Sequence, residues 1–137
     1  MRFMLMIYPG LESEGDWTPD VEAVAAMQRY NEELTQAGVL LALDGLHPSS
    51  EGARISFADG ERVVTDGPFA ETKELIGGYW IIQAKSKEEA LEWAKRCPIG
   101  GDAVLELRRI FEMSDFPSEL QDAAKLSADP PGQAMEG

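Results

Sequence analysis

Residues 2–8 place Phe3, Leu5 and Ile7 on one side and Met4, Met6 and Tyr8 on the other. Alternation with both sides apolar predicts a strand covered on both faces, stopped by Pro9-Gly10. Thr18-Pro19-Asp20 predicts a helix start, with Thr18 as cap and Pro19 in the first helical position. Val24, Met27, Tyr30, Leu34 and Ala37 recur at helical spacing as a buried stripe, and Gly38 supplies the left-handed stop. Residues 39–43 are a continuous apolar run of strand length, and residues 79–84 read as an apolar strand preceded by Gly77-Gly78. Between them, residues 54–57 and 61–65 predict a hairpin across Ala58-Asp59-Gly60. Ser86-Lys87-Glu88-Glu89 is a capping box. It opens a second helix with Ala90, Trp93, Ala94 and Cys97 facing inward, ended by Pro98 and Gly100-Gly101. Residues 103–110 form a last strand, with Leu105 and Leu107 on one face and Glu106 and Arg108 on the other.

The order strand–helix–strand, hairpin, strand–helix–strand predicts an α+β fold, a ferredoxin-like βαββαβ sandwich with a β-hairpin insertion. Two helices cover one face of such a sheet, yet the strands at 2–8, 39–43 and 79–84 are apolar on both. The uncovered face therefore predicts a homodimer joined through it. The domain spans residues 1–113. Residues 114–137 form an acidic tail with Pro117, Pro130 and Pro131, in which 118–126 has room for a helical turn or two and 127–137 is expected to be disordered.

Charge and composition narrow the partners. The chain has 137 residues, 25 acids against 12 bases and a formal charge of −13, which argues against nucleic acid or an anionic membrane. The excess is local: residues 11–33 hold seven acids and one base, and residues 112–137 hold six acids and one base. The short apolar N-terminus lacks a cleavage site and no apolar run approaches a membrane span, so a cytoplasmic location is expected. Cys97, the single cysteine, reads as inert core and fits a reducing compartment. One histidine and one cysteine without ligand spacing support no metal site, and no cofactor motif is present.

The densest chemistry lies in Thr65-Asp66-Gly67-Pro68-Phe69-Ala70-Glu71-Thr72-Lys73-Glu74. Asp66 either opens a turn, accepting backbone N–H groups, or serves as a general base or ligand anchor. Phe69 is expected to pin the loop. Glu71, Lys73 and Glu74 can form an ion-pair network that either dresses the surface or serves a ligand, with Lys73 for an anionic group and Glu71 or Glu74 as proton acceptor; exposed pairs contribute only about 0–1 kcal/mol to stability. His47 is either a surface residue or, if its loop folds over Asp66, the partner in an acid–base dyad. Arg54 is a candidate anion contact. Tyr79, a candidate ligand contact, and Trp80 lie on opposite faces of one strand and divide between core and dimer interface.

The nine residues Asp66–Glu74, with Gly77-Gly78-Tyr79, resemble the signature of the DGPF-domain proteins, part of the wider YCII-related group in the dimeric α+β barrel superfamily. Met4-Leu5-Met6-Ile7-Tyr8, Ala37-Gly38-Val39-Leu40 and Ala90-Leu91-Glu92-Trp93-Ala94 are also similar, and the resemblance covers roughly residues 1–111. It implies the dimeric α+β barrel and, because many members are encoded beside extracytoplasmic-function sigma factors, a regulatory role. It also implies that Asp66 stands for the aspartate of a His–Asp pair suggested for the YCII group. The histidine of that pair belongs in the first helix, where this chain has none; its one histidine is His47. Two readings follow: a dimer that binds a small polar molecule or regulates, with the Asp66–Glu74 loop as the rim of a pocket between sheet and hairpin, or a cofactor-independent enzyme using Asp66, with or without His47, for acid–base chemistry.

Overall fold

The computed structural model describes residues 1–10, 20–69 and 75–121. Strand β1 (Arg2–Tyr8) is followed by helix α1 (Val21–Gln36) and strand β2 (Leu40–Gly45). The hairpin strands β3 (Ala53–Ser56) and β4 (Val63–Asp66) precede β5 (Gly78–Gln83), helix α2 (Lys87–Lys95) and β6 (Val104–Arg109). The main sheet has the order β2-β5-β1-β6 with every neighbour antiparallel, and β3-β4 form a separate two-stranded sheet. This is α+β with two helices and an antiparallel sheet, consistent with the expected ferredoxin-like arrangement.

The two central strands carry the core. Phe3, Leu5 and Ile82 are fully buried, and Trp80 is 6% exposed. The register Phe3↔Ile82 and Leu5↔Trp80 puts these four on one face. Tyr30 and Leu34 of α1 and Ala90 of α2 close over them. Tyr30 meets Trp80 edge-on at 6.0 Å between ring centroids and donates its hydroxyl to the Trp93 carbonyl at 2.8 Å. That placement satisfies the one polar atom of a buried phenol, and burial raises its pKa above the ordinary value.

The helix ends follow local chemistry, with corrections to the expected bounds. Asp20 caps α1, its carboxylate accepting from the Glu22 N–H at 3.4 Å; Thr18 and Pro19 lie outside the described residues. Aspartate caps as well as threonine, so the helix starts at Val21. The buried stripe is shorter than its spacing suggests. Tyr30 and Leu34 are buried, but Val24 is 47% exposed and Ala37 is the exposed C-cap. Gly38 takes φ 74° where the helix stops. Ser86 caps α2 by accepting from the Glu89 N–H at 3.1 Å, while Glu89 reaches back to the Lys85 N–H at 2.9 Å. The helix ends at Lys95, so buried Cys97 lies just beyond it.

The opposite sheet face bears Met4, Met6, Tyr8, Tyr79, Ile81 and Val104, interrupted by Asp44, Glu106 and Arg108, as alternation and register require. Past β6 the chain stays attached. Glu112 accepts a hydrogen bond from Arg2 at 2.8 Å, which lowers its pKa, and Arg109 pairs with Asp115 at 2.8 Å. The boundary expected after residue 113 falls inside the 3-10 turn Met113–Asp115, and a second such turn covers Ser118–Leu120; residues 122–137 lie outside the description. Among the described residues no helix is long and apolar enough to cross a membrane.

Candidate functional site

The hairpin and the motif after it are held by packing. Gly67 donates its N–H to the Gly52 carbonyl at 3.0 Å and lies so close to the Ser49 carbonyl that a Cβ would collide with it. Phe69 donates its N–H to Ser49 Oγ at 3.2 Å, and the Arg54 guanidinium sits 4.0 Å above the Phe69 ring centroid. Gly67, Phe69 and Arg54 thus clamp the segment onto the 3-10 turn Ser49–Glu51, with the Gly67-Pro68 peptide cis. Arg54, expected as an anion contact, has its charge placed over this ring, a pairing of about 0.5–1 kcal/mol at an exposed site.

Asp66 is the last residue of β4, opposite Ala53, and is exposed. Its carboxylate has no hydrogen bond or ion pair among the described residues. His47 is also exposed, and its Nδ1 lies 2.8 Å from Glu51 Oε2, one helical turn along its own loop. Among the described residues no hydrogen bond or ion pair joins His47 to Asp66. Glu71, Lys73 and Glu74 lie outside the described residues. Tyr79 and Trp80 separate as expected. Trp80 enters the core, whereas the Tyr79 hydroxyl donates to Asp44 Oδ2 at 2.8 Å on the other face, a bond that raises the phenol's pKa.

A recess lies elsewhere, on the helix-covered face. It measures about 870 Å³, within the usual size of ligand pockets. Ile7, Leu40 and Leu43 form its floor, Ala23, Met27 and Asn31 of α1 its roof, and Ile99 and Ala103, between α2 and β6, its end wall. It sits where β1 and β2 end and β5 and β6 begin, the end of the sheet from which the hairpin leaves and to which it returns.

Polar groups enter this recess from α1. Asn31 Oδ1 accepts from Trp80 Nε1–H at 2.8 Å. Indole nitrogen is only a donor, so the bond fixes the amide orientation and turns Nδ2 away from Trp80. Asp20 and Glu32 place carboxylates at the rim, and among the described lining residues there is no lysine or arginine. In the sequence these residues are overshadowed by the charged clusters in loops. A signal existed: Ala23, Met27, Asn31 and Thr35 follow at i+4 along α1, a row turning from apolar to amide and hydroxyl beside the buried stripe. Among the described residues no group of three His, Cys, Asp or Glu side chains is placed to hold a metal ion, and buried Cys97 has its thiol pushed up to about 11 by desolvation, away from nucleophile chemistry.

The chain is similar to an uncharacterised protein of Rhizobium meliloti (strain 1021), 39% identical over 97 residues that cover 69% of this chain and 78% of that protein. The family model of the YCII-related domain matches residues 1–114, nearly all of the folded part just described, and the chain belongs to that family.

Proposed function

We propose that this protein binds a small molecule in the recess between α1 and the main sheet. The observation that carries this reading is the recess itself: about 870 Å³, walled by apolar side chains, with a few polar groups converging from one helix. It lies on the helix side of the sheet, whereas the pocket expected between sheet and hairpin has its rim partly outside the described residues. It also favours a ligand more apolar than the small polar molecule suggested by the charged loop. An acid–base enzyme built on Asp66 and His47 would need the two to meet, and His47 pairs instead with Glu51.

The test is a binding screen by thermal shift, since a ligand of the native state raises stability by RT ln(1 + [L]/Kd), followed by calorimetry on the hits. Ala23→Trp fills the roof from an exposed helical position and is expected to fold normally and lose the hits. Asp66→Asn, outside the recess lining, is expected to bind them unchanged. Hits that bind Ala23→Trp as tightly as the parent would refute the recess as the site, and turnover abolished by Asp66→Asn would restore the enzymatic reading.

We also propose that the face bearing Met4, Tyr8, Ile81 and Val104 is covered by a second copy of the chain. Its apolar rows support this, because a sheet face of that character is rarely left to water. Light scattering at micromolar concentration should give twice the chain mass, and a monomeric mass would overturn the proposal.

A further inference from the structure

We infer that the recess selects neutral or cationic amphiphiles carrying a hydrogen-bond acceptor and rejects carboxylates; this rests on the recess being the binding site. Three features set the selection. The floor of Ile7, Leu40 and Leu43 offers no polar side chain, so the ligand's body is aliphatic or aromatic. The amide of Asn31 has its oxygen committed to Trp80, and its Nδ2–H₂ has no partner among the described residues. A bound molecule therefore meets a donor there and must bring an oxygen or nitrogen acceptor. Asp20 and Glu32 put two negative charges at the rim with no cation among the described lining residues, in a chain of net charge −13. An anionic head would meet repulsion from all of these, whereas an ammonium head would be attracted and a neutral one unaffected.

Asp20 is partly engaged as the helix cap, but that contact leaves its charge in place. Glu32 has no hydrogen bond or ion pair among the described residues. The charge selection is therefore a rim effect that salt weakens, and the acceptor requirement is a contact of the interior that salt leaves alone.

Three probes of equal acyl chain length separate the features: N,N-dimethyldecanamide, the quaternary ammonium ester decanoylcholine and decanoate, each carrying a carbonyl acceptor, titrated below their micellar range by calorimetry at pH 7.5. The amide and the ammonium are expected to bind at least about fivefold more tightly than decanoate at low salt. The ammonium–decanoate gap should shrink in 0.5 M sodium chloride and narrow in the double variant Asp20→Asn with Glu32→Gln, where asparagine keeps the helix cap. Asn31→Asp keeps the acceptor for Trp80 and replaces the donor with a carboxylate. It should weaken the amide about fivefold and the ammonium ester less. Decanoate binding as tightly as the other two, with Ala23→Trp abolishing all three, would overturn the selectivity while leaving the site standing. Probes that bind parent and Ala23→Trp alike would overturn the site as well.

Discussion

Asn31 joins the recess to the core, and replacing it by alanine measures that link. The change removes the acceptor of Trp80 Nε1–H, a 2.8 Å bond to a residue that is 6% exposed. Leaving a buried donor unsatisfied costs about 1–3 kcal/mol. Water in the recess can reach the indole where the amide stood and recover part of this, so the lower half of the range applies, about 1–2 kcal/mol. Alanine in mid-helix returns up to about 0.7 kcal/mol of propensity relative to asparagine. The net expected loss for Asn31→Ala is about 0.5–1.5 kcal/mol, too small to assign by itself.

A double-mutant cycle resolves the two contributions. Trp80→Phe removes the donor and keeps an aromatic ring against Tyr30. In that background Asn31→Ala retains only the propensity gain and should be neutral or slightly stabilising. The expected coupling energy is thus about 1–2 kcal/mol. Urea unfolding followed by circular dichroism, at one fixed protein concentration, reads it as unequal shifts of the midpoint in the two backgrounds. Asn31→Asp should unfold close to the parent because the acceptor remains. A coupling below about 0.5 kcal/mol would refute the claim that this hydrogen bond ties α1 to the central strand, and with it the fixed orientation of the Asn31 amide.

Gly67→Ala is expected to undock the hairpin, because its Cβ meets the Ser49 carbonyl; overpacking of this kind costs about 1–3 kcal/mol. Since β3 and β4 are exposed throughout, the loss should show as faster amide exchange at Arg54 and Val64 with the global midpoint little changed, and unaltered hairpin exchange would contradict the clamp. Ser86→Ala should destabilise the protein by about 1 kcal/mol in urea, with Ser86→Asp restoring it. Cys97, its thiol raised from an ordinary 9.0 to about 11, stays protonated at pH 8. It should react with a disulfide reagent about 100-fold more slowly than a free thiol from ionisation alone. Because the folded value is the higher one, the stability that depends on the neutral thiol is complete below about pH 9 and declines as pH rises toward 11; a native-state reaction as fast as that of the unfolded chain would show the thiol to be accessible.

How much was legible in the sequence differs between fold and site. The strands at 2–8 and 79–84 could be placed within a residue because Phe3, Leu5, Trp80 and Ile82 satisfy the period-two pattern and a buried core at once. The turn at Gly38 and the cap at Ser86 could be read for similarly local reasons. The sequence does not fix the start of α1, because Thr18 and Asp20 are both competent caps and local chemistry does not choose between them. Helical periodicity puts Val24 with the core because it reports which side of a helix faces the sheet. It does not report whether the space between them is filled. The site was obscured for a related reason. Asp66-Gly67-Pro68-Phe69 stands out in the sequence, yet Gly67 and Phe69 are needed to pack against Ser49 and Arg54. Asn31, at the recess, looks like any polar residue on an exposed helix.

The size of the recess bears on how it works. If its volume of about 870 Å³ were a sealed void, the cost at about 24 cal/mol per Å³ would be about 20 kcal/mol, more than the entire stability of about 5–15 kcal/mol expected for a domain. It must therefore be open to water, which agrees with Val24 at 47% and Leu43 at 38% exposed along its walls. Its origin lies in side-chain size along one helix. Tyr30 and Leu34 fill the space over Trp80 and Ile82, while Ala23 and Val24, two turns earlier, are too small to span the gap to Ile7, Leu40 and Leu43. The first half of α1 is consequently held by little apolar burial and the second half by nearly all of it. A ligand that fills the recess would cover the wetted floor and give the early turns of α1 the contacts that Tyr30 and Leu34 give the later ones. Binding energy and helix stability then come from the same apolar surface, at about 25 cal/mol per Å² removed from water.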